Sequence, residues 1–396
     1  MSPVRFRSEI GDRAAIAGIG ATEFSKDSGR SELRLAIEAI AHALDDAGLR
    51  PEDVDGMATF TMDNNPEIEI NRYLGGGDLK FFSRTHYGGG AACAPILHAA
   101  MAVATGVCEV VVCYRAMNER SQQRFGAGVQ GRPPLPRPEE VHFGWHSPYG
   151  LLTPASWVAM NARRAMHEYG ITSEDFGRIS VADRKHAATN PKAWFYQQPI
   201  TLADHQNSRW IVEPLRLLDC CQESDGAVAV VVTSLERARD LRQPPARIAA
   251  AAQGATTDQQ MMTRYYSERI VGLPEMGLVA RQLFETAGIG PQDVQTAIFY
   301  DHFTPLVLTQ FEEFGFCGRG EAKDFIRDGN IELGGGLPIN PHGGQLGEAY
   351  IHGMNGIAEG VRQVRGSAVN QVPGVEHVLV TAGTGVPTSG LILGAG

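Results

Sequence analysis

Two tyrosines lie in segments whose composition suggests chemistry. Tyr350 follows two adjacent glycines in NPHGGQLGEAYIHG (340–353), where we expect a helix to begin near Gly347 and the chain to turn inward. Tyr300 ends an apolar strand pattern and opens YDHFTPLVL (300–308). A phenol with its ordinary pKa near about 10 suits proton transfer to or from an alkoxide that is itself a poor acid. Both tyrosines are therefore candidates for acid–base work.

The chain that must position them is internally duplicated. The segments ALDDAGLRPEDVDGMATF (43–60) and LFETAGIGPQDVQTAIFY (283–300) align at a constant offset, with Gly48 opposite Gly288. Each copy predicts a helix ending at Ala-Gly, a Pro-x-Asp-Val turn and an apolar strand. In the first copy, Ser31 is placed to cap the start of the helix.

The repeated pattern predicts an α/β fold made of two β-α-β-α-β halves, with sheets and helices in alternating layers. We assign residues 1–245 to the first half and 246–396 to the second. The stretch 117–215 has no counterpart in the second half, contains the proline-rich GRPPLPRPEE (131–140), and predicts a helix near 155–169. We expect it to form a loop domain laid over the first half and to shape the substrate entrance.

Composition narrows the classes of function. A net charge of −10 argues against a nucleic-acid surface or a polybasic membrane patch. No run of about 18 apolar residues is present, and the N-terminus lacks the apolar region of a signal peptide, so we expect a cytoplasmic enzyme. The six cysteines follow no disulfide framework. Cys220 and Cys221 are adjacent but do not make a zinc site by themselves, and we predict no metal.

Two glycine patterns have competing interpretations. AGIGATEF (17–24) resembles a dinucleotide fingerprint, but Glu23 occupies the place of its third glycine, so a strand followed by a turn is favoured. The double glycines could place two helix N-termini at one cavity, where they would stabilise an oxyanion. The equal alternative is that these glycines only permit close packing.

The whole chain resembles the thiolase superfamily, most closely its lipid-transfer and sterol-carrier-type branch. AAIAGIGATEF is similar to the opening of that branch, and LDCCQESDGAVAVVV (218–232) to its Asp-Cys-Cys and Ser-Asp-Gly-Ala segment. NPHGG matches the Asn-x-x-Gly-Gly of the histidine motif, and YDHF lies where thiolases carry Asn-Glu-Ala-Phe. The resemblance implies a thiolase-like fold in a layered α/β/α/β/α arrangement.

The residues that thiolases use for acyl transfer are replaced. On this resemblance the nucleophilic cysteine falls on Gly89, the histidine on Tyr350 and the second cysteine on Thr381. Cys93 is expected one turn further along, inside the helix, buried and inert. Acyl transfer through a thioester enzyme intermediate is then excluded, and enolate chemistry such as a reverse aldol reaction remains. We expect Gly89 to open room for a bulky group, such as a steroid ring, on the β-carbon.

A closer resemblance is to the steroid side-chain-cleaving aldolases of actinobacterial sterol and bile-acid degradation, carried by VVVCYRAMNERSQQRFG (110–126), YDHFTPLVLTQFEEFGFC and INPHGGQLGEAYIHG. It implies a lyase that converts a 17-hydroxy steroid with a C20-carboxyl-CoA side chain to a 17-ketosteroid and propionyl-CoA. Coenzyme A enters only as part of the substrate, and no cofactor is expected. The family works as a homodimer bound to a small OB-fold partner, giving a heterotetramer. We place the dimer contact at an apolar sheet edge near EVVVCYR (109–115).

The resemblance carries roles to individual residues. Tyr300 and Tyr350 become the catalytic pair, and Asp301 and His302 take supporting or acid–base roles. For His302, a core histidine bonded to backbone is an equal alternative. The residues predicted to bind substrate are Gly89, His342, Gly343, Gly344 and Gly383. Two other functions stay open, a non-catalytic acyl-CoA or lipid-binding subunit and a thiolase that uses Cys93.

Overall fold

The computed structural model describes residues 10–122, 124, 143–257, 259–262, 265 and 269–396. The proline-rich segment 131–140 and the last residues of 110–126 lie outside this part of the chain. The first half begins with β1 (Ala14–Ala21), α1 (Glu32–Ala47), β2 (Gly56–Phe60), α2 (Glu67–Leu74), β3 (Phe81–Thr85), α3 (Ala94–Ala104) and β4 (Val110–Asn118). It continues through α4 (Phe143–His146), α5 (Pro154–Tyr169), α6 (Ser173–Thr189), α7 (Leu202–Asn207), the small hairpin β5 (Trp210–Val212) and β6 (Leu215–Arg216), β7 (Asp225–Ser234) and α8 (Leu235–Arg239).

The second half repeats the first in a shorter form. It contains β8 (Ala246–Gly254), α9 (Pro274–Ala287), β9 (Thr296–Ile298), α10 (Thr304–Glu313), α11 (Ala322–Phe325), α12 (Gly344–Gly347), α13 (Met354–Arg365), β10 (His377–Thr381) and β11 (Thr388–Ala395). The first-half strands lie in the order β3-β2-β4-β7-β1, and the second-half strands in the order β9-β10-β11-β8. The inner four strands of the first half therefore have the same spatial order as the second-half strands, which confirms the duplicated α/β architecture.

Local chemistry explains why both copies fold alike. Gly48 and Gly288 end α1 and α9 in the left-handed region, at φ 74° and 70°, which glycine adopts without steric cost. In the turns that follow, Asp53 accepts the N–H of Arg50 and Asp293 accepts that of Gly290, both at 2.8 Å. The repeated Pro-x-Asp thus closes the same turn twice.

The layers follow from the apolar faces of the elements. A central layer of α3 and α13 is packed between strands of both halves, and Ala99, Ile357, Val230 and Leu391 belong to that one core cluster. The helix α1 covers the outer face of the first half, and α9 and α10 cover that of the second. The two halves also pair directly where Ala15 and Ile16 of β1 meet β8.

Two expectations about packing were wrong. The predicted helix near 155–169 is present as α5, but α5 and α6 share a core cluster with α9 and α10, so this part of the insertion covers the second half rather than the first. The strand β4 is not a sheet edge, because β2 pairs with one side of it and β7 with the other. The first-half edge is β3, where the side chain of Phe82 is 71% exposed. Among the described residues, no helix is both long and apolar enough to cross a membrane.

Candidate active site

The two candidate tyrosines meet at the centre of the molecule. Tyr300 follows β9, and Tyr350 lies in the turn between α12 and α13. Their hydroxyl oxygens are 3.1 Å apart and share a hydrogen bond, with the rings edge to face. The two residues are only 3% and 8% exposed. The two phenols therefore form a hydrogen-bonded pair largely shielded from water, and their acid–base role stays a prediction.

Burial controls the ionisation of this pair. It raises the pKa of both phenols well above 10. For Tyr300 the hydrogen bond with Tyr350 opposes this rise and lowers the pKa, whereas the charge of ionised Tyr300 raises the pKa of Tyr350 further. Loss of one proton thus disfavours loss of the second, so the two phenols lose their protons in separate steps.

The backbone of Tyr300 is held by a closed ring of hydrogen bonds. Its N–H donates to the Thr381 hydroxyl at 2.9 Å, and that hydroxyl donates to the side-chain oxygen of Gln310 at 2.6 Å. The Gln310 amide in turn donates to the carbonyl of Tyr300 at 2.9 Å. Thr381, at the position of the second thiolase cysteine, therefore positions the tyrosine.

The loop around Tyr350 depends on tight local geometry. The helix expected near Gly347 is only the short α12, which ends there, and α13 starts at Met354. Between them the N–H of Tyr350 donates to the Ser224 hydroxyl at 3.1 Å. Gly353 has φ 88°, and a Cβ there would lie 2.9 Å from the ring of Tyr300. Glycine is therefore required where α13 approaches the pair.

Gly89 does not open a space for substrate, contrary to expectation. A Cβ at this position would lie 2.0 Å from the hydroxyl oxygen of Tyr300, so the phenol already fills that volume. Gly383 holds the backbone of Gly89 beside Tyr300, because the N–H of Gly383 donates to the carbonyl of Gly89 at 2.8 Å. The two predicted substrate-binding glycines thus lie together at the tyrosines, and a contact with substrate itself stays a prediction.

Cys93 is buried as expected, but it lies immediately before α3 rather than inside it. Its N–H donates to the Ser389 hydroxyl, and burial raises the pKa of its thiol. A thiol held in the neutral form inside an apolar cluster is a poor nucleophile. These contacts favour a structural role for Cys93.

The carboxylate of Asp301 is directed to the start of α12. It accepts the backbone N–H groups of Gln345 at 2.8 Å and Leu346 at 3.0 Å. Burial raises the pKa of Asp183 on α6 well above its ordinary value, and the neighbouring Asp301 carboxylate adds to that rise. The two carboxyl groups are therefore expected to share a proton. These contacts tie α6 to the second half, and the supporting role of Asp301 in catalysis stays a prediction.

The two predicted histidines are buried and neutral. The ring of His302 lies 4.9 Å from that of Tyr300, and burial lowers its pKa to about 4. The ring of His342 lies 3.9 Å from the Glu348 carboxylate, and burial lowers its pKa to about 3. His302 therefore meets the tyrosine pair directly, whereas His342 lines a cavity of about 10 Å³ shared with Tyr300.

Gly343 and Gly344 adopt positive φ values and permit close packing. A Cβ at Gly343 would lie 2.5 Å from Ala187 on α6, and one at Gly344 would lie 2.2 Å from the carboxylate of Asp301. The packing alternative is thus observed for both glycines. Their predicted contact with substrate is not tested by this geometry.

Two charged residues near the pair were missed from the sequence. Arg115 on β4 is fully buried, and Glu119, just after that strand, is 4% exposed. The charge of Glu119 raises the pKa of Tyr300 and of Tyr350. A signal was present, since Arg115 is the one charged residue of the nine in VVVCYRAMN. A charge inside a buried strand is costly and therefore informative.

Comparison with known proteins identifies the family. Residues 254–394 match the family model "Thiolase C-terminal domain-like". The chain is 69% identical to the "Steroid side-chain-cleaving aldolase" of Thermomonospora curvata, over 96% of this chain and 98% of that protein. It is 68% identical to the "17-hydroxy-3-oxo-4-pregnene-20-carboxyl-CoA lyase" of Mycobacterium tuberculosis, over 97% of this chain and 100% of that protein.

Solved structures agree with these relatives. The structure of the "Ltp2-ChsH2(DUF35) aldolase" superposes with a TM-score of 0.93 at 68% identity, covering 98% of this chain and 99% of that one. A monomeric SCP2-thiolase-like protein from Mycobacterium smegmatis, at 20% identity and a TM-score of 0.72 over 97% of this chain and 78% of that one, shares the fold. The chain belongs to the steroid side-chain-cleaving aldolases, a lyase family of the thiolase superfamily.

Proposed function

We propose that this enzyme cleaves a 17-hydroxy steroid carrying a C20-carboxyl-CoA side chain, by a retro-aldol reaction, to a 17-ketosteroid and propionyl-CoA. The supporting observation is the 3.1 Å hydrogen bond between the buried hydroxyls of Tyr300 and Tyr350, the second of which is predicted to stand at the position of the thiolase histidine. The activities named for the relatives at 68–69% identity agree with this substrate and bond cleavage.

The tyrosine pair supplies both proton transfers of the reaction. A phenolate takes the proton of the β-hydroxyl, the Cα–Cβ bond breaks, and the electron pair moves onto the thioester as an enolate. The other phenol then protonates Cα, and a proton passes across the shared hydrogen bond to restore the pair. The reaction removes one proton from oxygen and adds one to carbon, so it needs no net exchange with solvent and, in this proposal, no cofactor.

The experiment is turnover of a 17-hydroxy steroid C20-carboxyl-CoA by the purified enzyme with its partner, with both products followed by mass spectrometry. Tyr350→Phe should retain acyl-CoA binding and lower kcat by roughly 10² or more, the typical effect of a positioned acid or base. Tyr73→Phe, on an exposed residue, is the matched control. Near-wild-type turnover by Tyr350→Phe would refute the assignment, and tight binding without turnover by the wild type would favour the carrier alternative.

We further propose that the enzyme is a cytoplasmic homodimer bound to a small OB-fold partner. The similar solved structure is that of an assembly named for two components, Ltp2 and ChsH2(DUF35). For the dimer, the candidate contact is β3, the outermost strand of the sheet within the described part of the chain, where the apolar side chain of Phe82 is exposed. Ile68 on the preceding α2 is also exposed and would extend that surface.

A further inference from the structure

Arg115 is a buried cation whose surroundings leave its hydrogen-bonding capacity unused. It is 0% exposed, and within the described part of the chain none of its three guanidinium nitrogens has a hydrogen-bond partner. Its ion pair with Asp63 spans 3.8 Å, beyond hydrogen-bond distance. Burying an incompletely paired charge is expensive, so a role beyond packing is expected for it.

The position of Arg115 on β4 directs it toward the tyrosine pair. Alternate residues of a strand share a face, and Met117, two positions further along, belongs to one buried cluster with Tyr300 and Tyr350. The guanidinium carbon lies 5.1 Å from the centre of the Phe60 ring. Phe60 in turn contacts His352, whose ring lies 5.2 Å from that of Tyr350. A chain of ring contacts therefore connects the surroundings of the cation with the phenol, and the positive charge of Arg115 lowers the pKa of Tyr300.

The charges around the pair otherwise oppose ionisation of a phenol. Glu119 and Cys221 both raise the pKa of Tyr300 and Tyr350. Burial lowers the pKa of His302 and His352, so both imidazoles are neutral. Among the described residues, the tyrosine pair is faced by five titratable groups: Arg115, Glu119, Cys221, His302 and His352. Besides the two tyrosines, Arg115 is faced by Glu32, Asp63 and His352.

We propose that Arg115 is a positioning residue whose positive charge stabilises the phenolate of the Tyr300–Tyr350 pair without touching the steroid. The inference rests on the proposed function, because it assigns the source of the base in that reaction. The Asp63 carboxylate sets the strength of the effect. It accepts N–H groups from Ala116 at 3.0 Å and Asn65 at 2.9 Å, so it is fixed beside the cation and partly offsets its field.

This arrangement predicts opposite effects from removing the two charges. In Arg115→Met the phenolate loses its cation, so the ascending limb of the kcat/KM profile, which reports ionisation of the base phenol, should move up by about one pH unit or more, with roughly a tenfold loss of kcat/KM at neutral pH. In Asp63→Asn the cation loses its counter-charge, so the same limb should move down. Arg115→Lys, which keeps a cation, should move the limb less than Arg115→Met does.

The experiment measures these profiles on the enzyme with its partner and checks each variant by circular dichroism and thermal unfolding. An unmoved limb in folded Arg115→Met overturns the proposal. If that variant does not fold, Asp63→Asn decides alone, since a limb that stays or rises overturns it and a limb that falls supports it. A structural defect would lower kcat/KM without moving the limb.

A second measurement separates this inference from the proposed function. The ultraviolet absorbance of tyrosinate is titrated without substrate in wild type, Arg115→Met and Tyr300→Phe, the last of which identifies the signal of the pair. If the wild type binds the steroid thioester without cleaving it, the proposed function fails, and if Tyr300→Phe and Tyr350→Phe turn over normally, the catalytic role of the pair fails. The titration still tests Arg115, whose removal should delay ionisation of the pair to higher pH, whereas an unchanged titration would overturn the electrostatic link.

Discussion

The hydroxyl of Tyr300 occupies the volume into which any side chain at position 89 would project. A Cβ built on Gly89 lies 2.0 Å from the phenol oxygen and 2.6 Å from the ring carbon that bears it, far inside van der Waals contact. The backbone of Tyr300 is held by Thr381 and Gln310, so the phenol cannot withdraw as a unit. The position of the Tyr300 phenol therefore requires glycine at position 89, although the two residues belong to different halves of the molecule.

Gly89→Ala should therefore displace the Tyr300 hydroxyl and lower kcat by roughly 10² or more while the fold is retained, because a misplaced acid or base loses most of its effect. Steady-state kinetics and circular dichroism check this. Gly144→Ala, at a helical glycine where an added Cβ would meet no atom of the described residues within 4 Å, should change neither. In the Tyr300→Phe background the alanine should cost little further activity, and full additivity of the two losses would contradict the steric explanation.

Thr381→Val tests the hydrogen-bond ring behind Tyr300. Removing the hydroxyl leaves a buried N–H without its acceptor, so the free energy of unfolding should fall by about 1–3 kcal/mol and kcat should fall with it. Thr381→Ser keeps the hydroxyl and should stay close to wild type in both. Denaturant unfolding and kinetics on the same preparations give the answer, and a fully active valine variant would show that the ring does not position the tyrosine.

Cys93→Ala should leave kcat/KM within about threefold of wild type, because a neutral thiol in an apolar cluster takes no part in a retro-aldol reaction. Iodoacetamide treatment should likewise spare activity at this position. Loss of turnover with normal thermal stability would revive the thiolase interpretation.

Glu348 gives the protein a pH-dependent stability. Burial raises the pKa of its carboxyl from 4.5 to about 7, against the charge of Arg362 and hydrogen bonds from Asn355 and Asn190, which lower it. A pKa that is raised on folding favours the protonated form. Its stabilising contribution is complete below the unfolded pKa of 4.5 and is lost as pH rises through about 7.

We therefore expect the free energy of unfolding to fall by up to about 3 kcal/mol from this group between about pH 5 and about pH 8. Glu348→Gln imitates the neutral carboxyl and should remove that part of the slope, whereas Glu52→Gln, at an exposed site, should retain it. Urea unfolding at the two pH values measures the difference. Equal slopes in wild type and Glu348→Gln would contradict the assignment.

Assembly can be tested at the β3 edge. Sedimentation of the protein alone, and then with its small partner, should show a dimer and a larger complex of both chains. Phe82→Glu places a charge among the exposed apolar side chains of that edge and should shift the dimer toward monomer. Glu52→Gln serves again as the surface control. A monomer that is fully active without a partner would contradict both parts of the proposal.

The sequence predicted what depends on local chemistry. The glycine caps at Gly48 and Gly288 and the Pro-x-Asp turns follow from backbone preferences, so the duplication was readable and is confirmed. The sequence did not predict which half α6 covers or that β4 lies inside the sheet. Both depend on strand order, which a periodic pattern of apolar residues does not encode.

The candidate site shows the same division. Their positions in the sequence motifs identified Tyr300 and Tyr350 as candidates, and the structure places their hydroxyls within hydrogen-bond distance. The filled space at Gly89 was misjudged because it depends on the reach of a side chain from the other half. Arg115 was missed although a lone charge in an apolar strand was visible, because its significance lies in what surrounds it in three dimensions.

The overlap between a side chain at position 89 and Tyr300 also limits the order in which these two residues could change during evolution. A lineage that carried a cysteine at 89 could not have acquired a tyrosine at 300 until that side chain was gone, since the two would overlap. In such a lineage the thiol would have to be lost before or together with the gain of the phenol, because the two side chains overlap in this geometry. To restore acyl transfer in this protein, residue 300 would have to be replaced by a smaller one before a thiol is introduced at position 89.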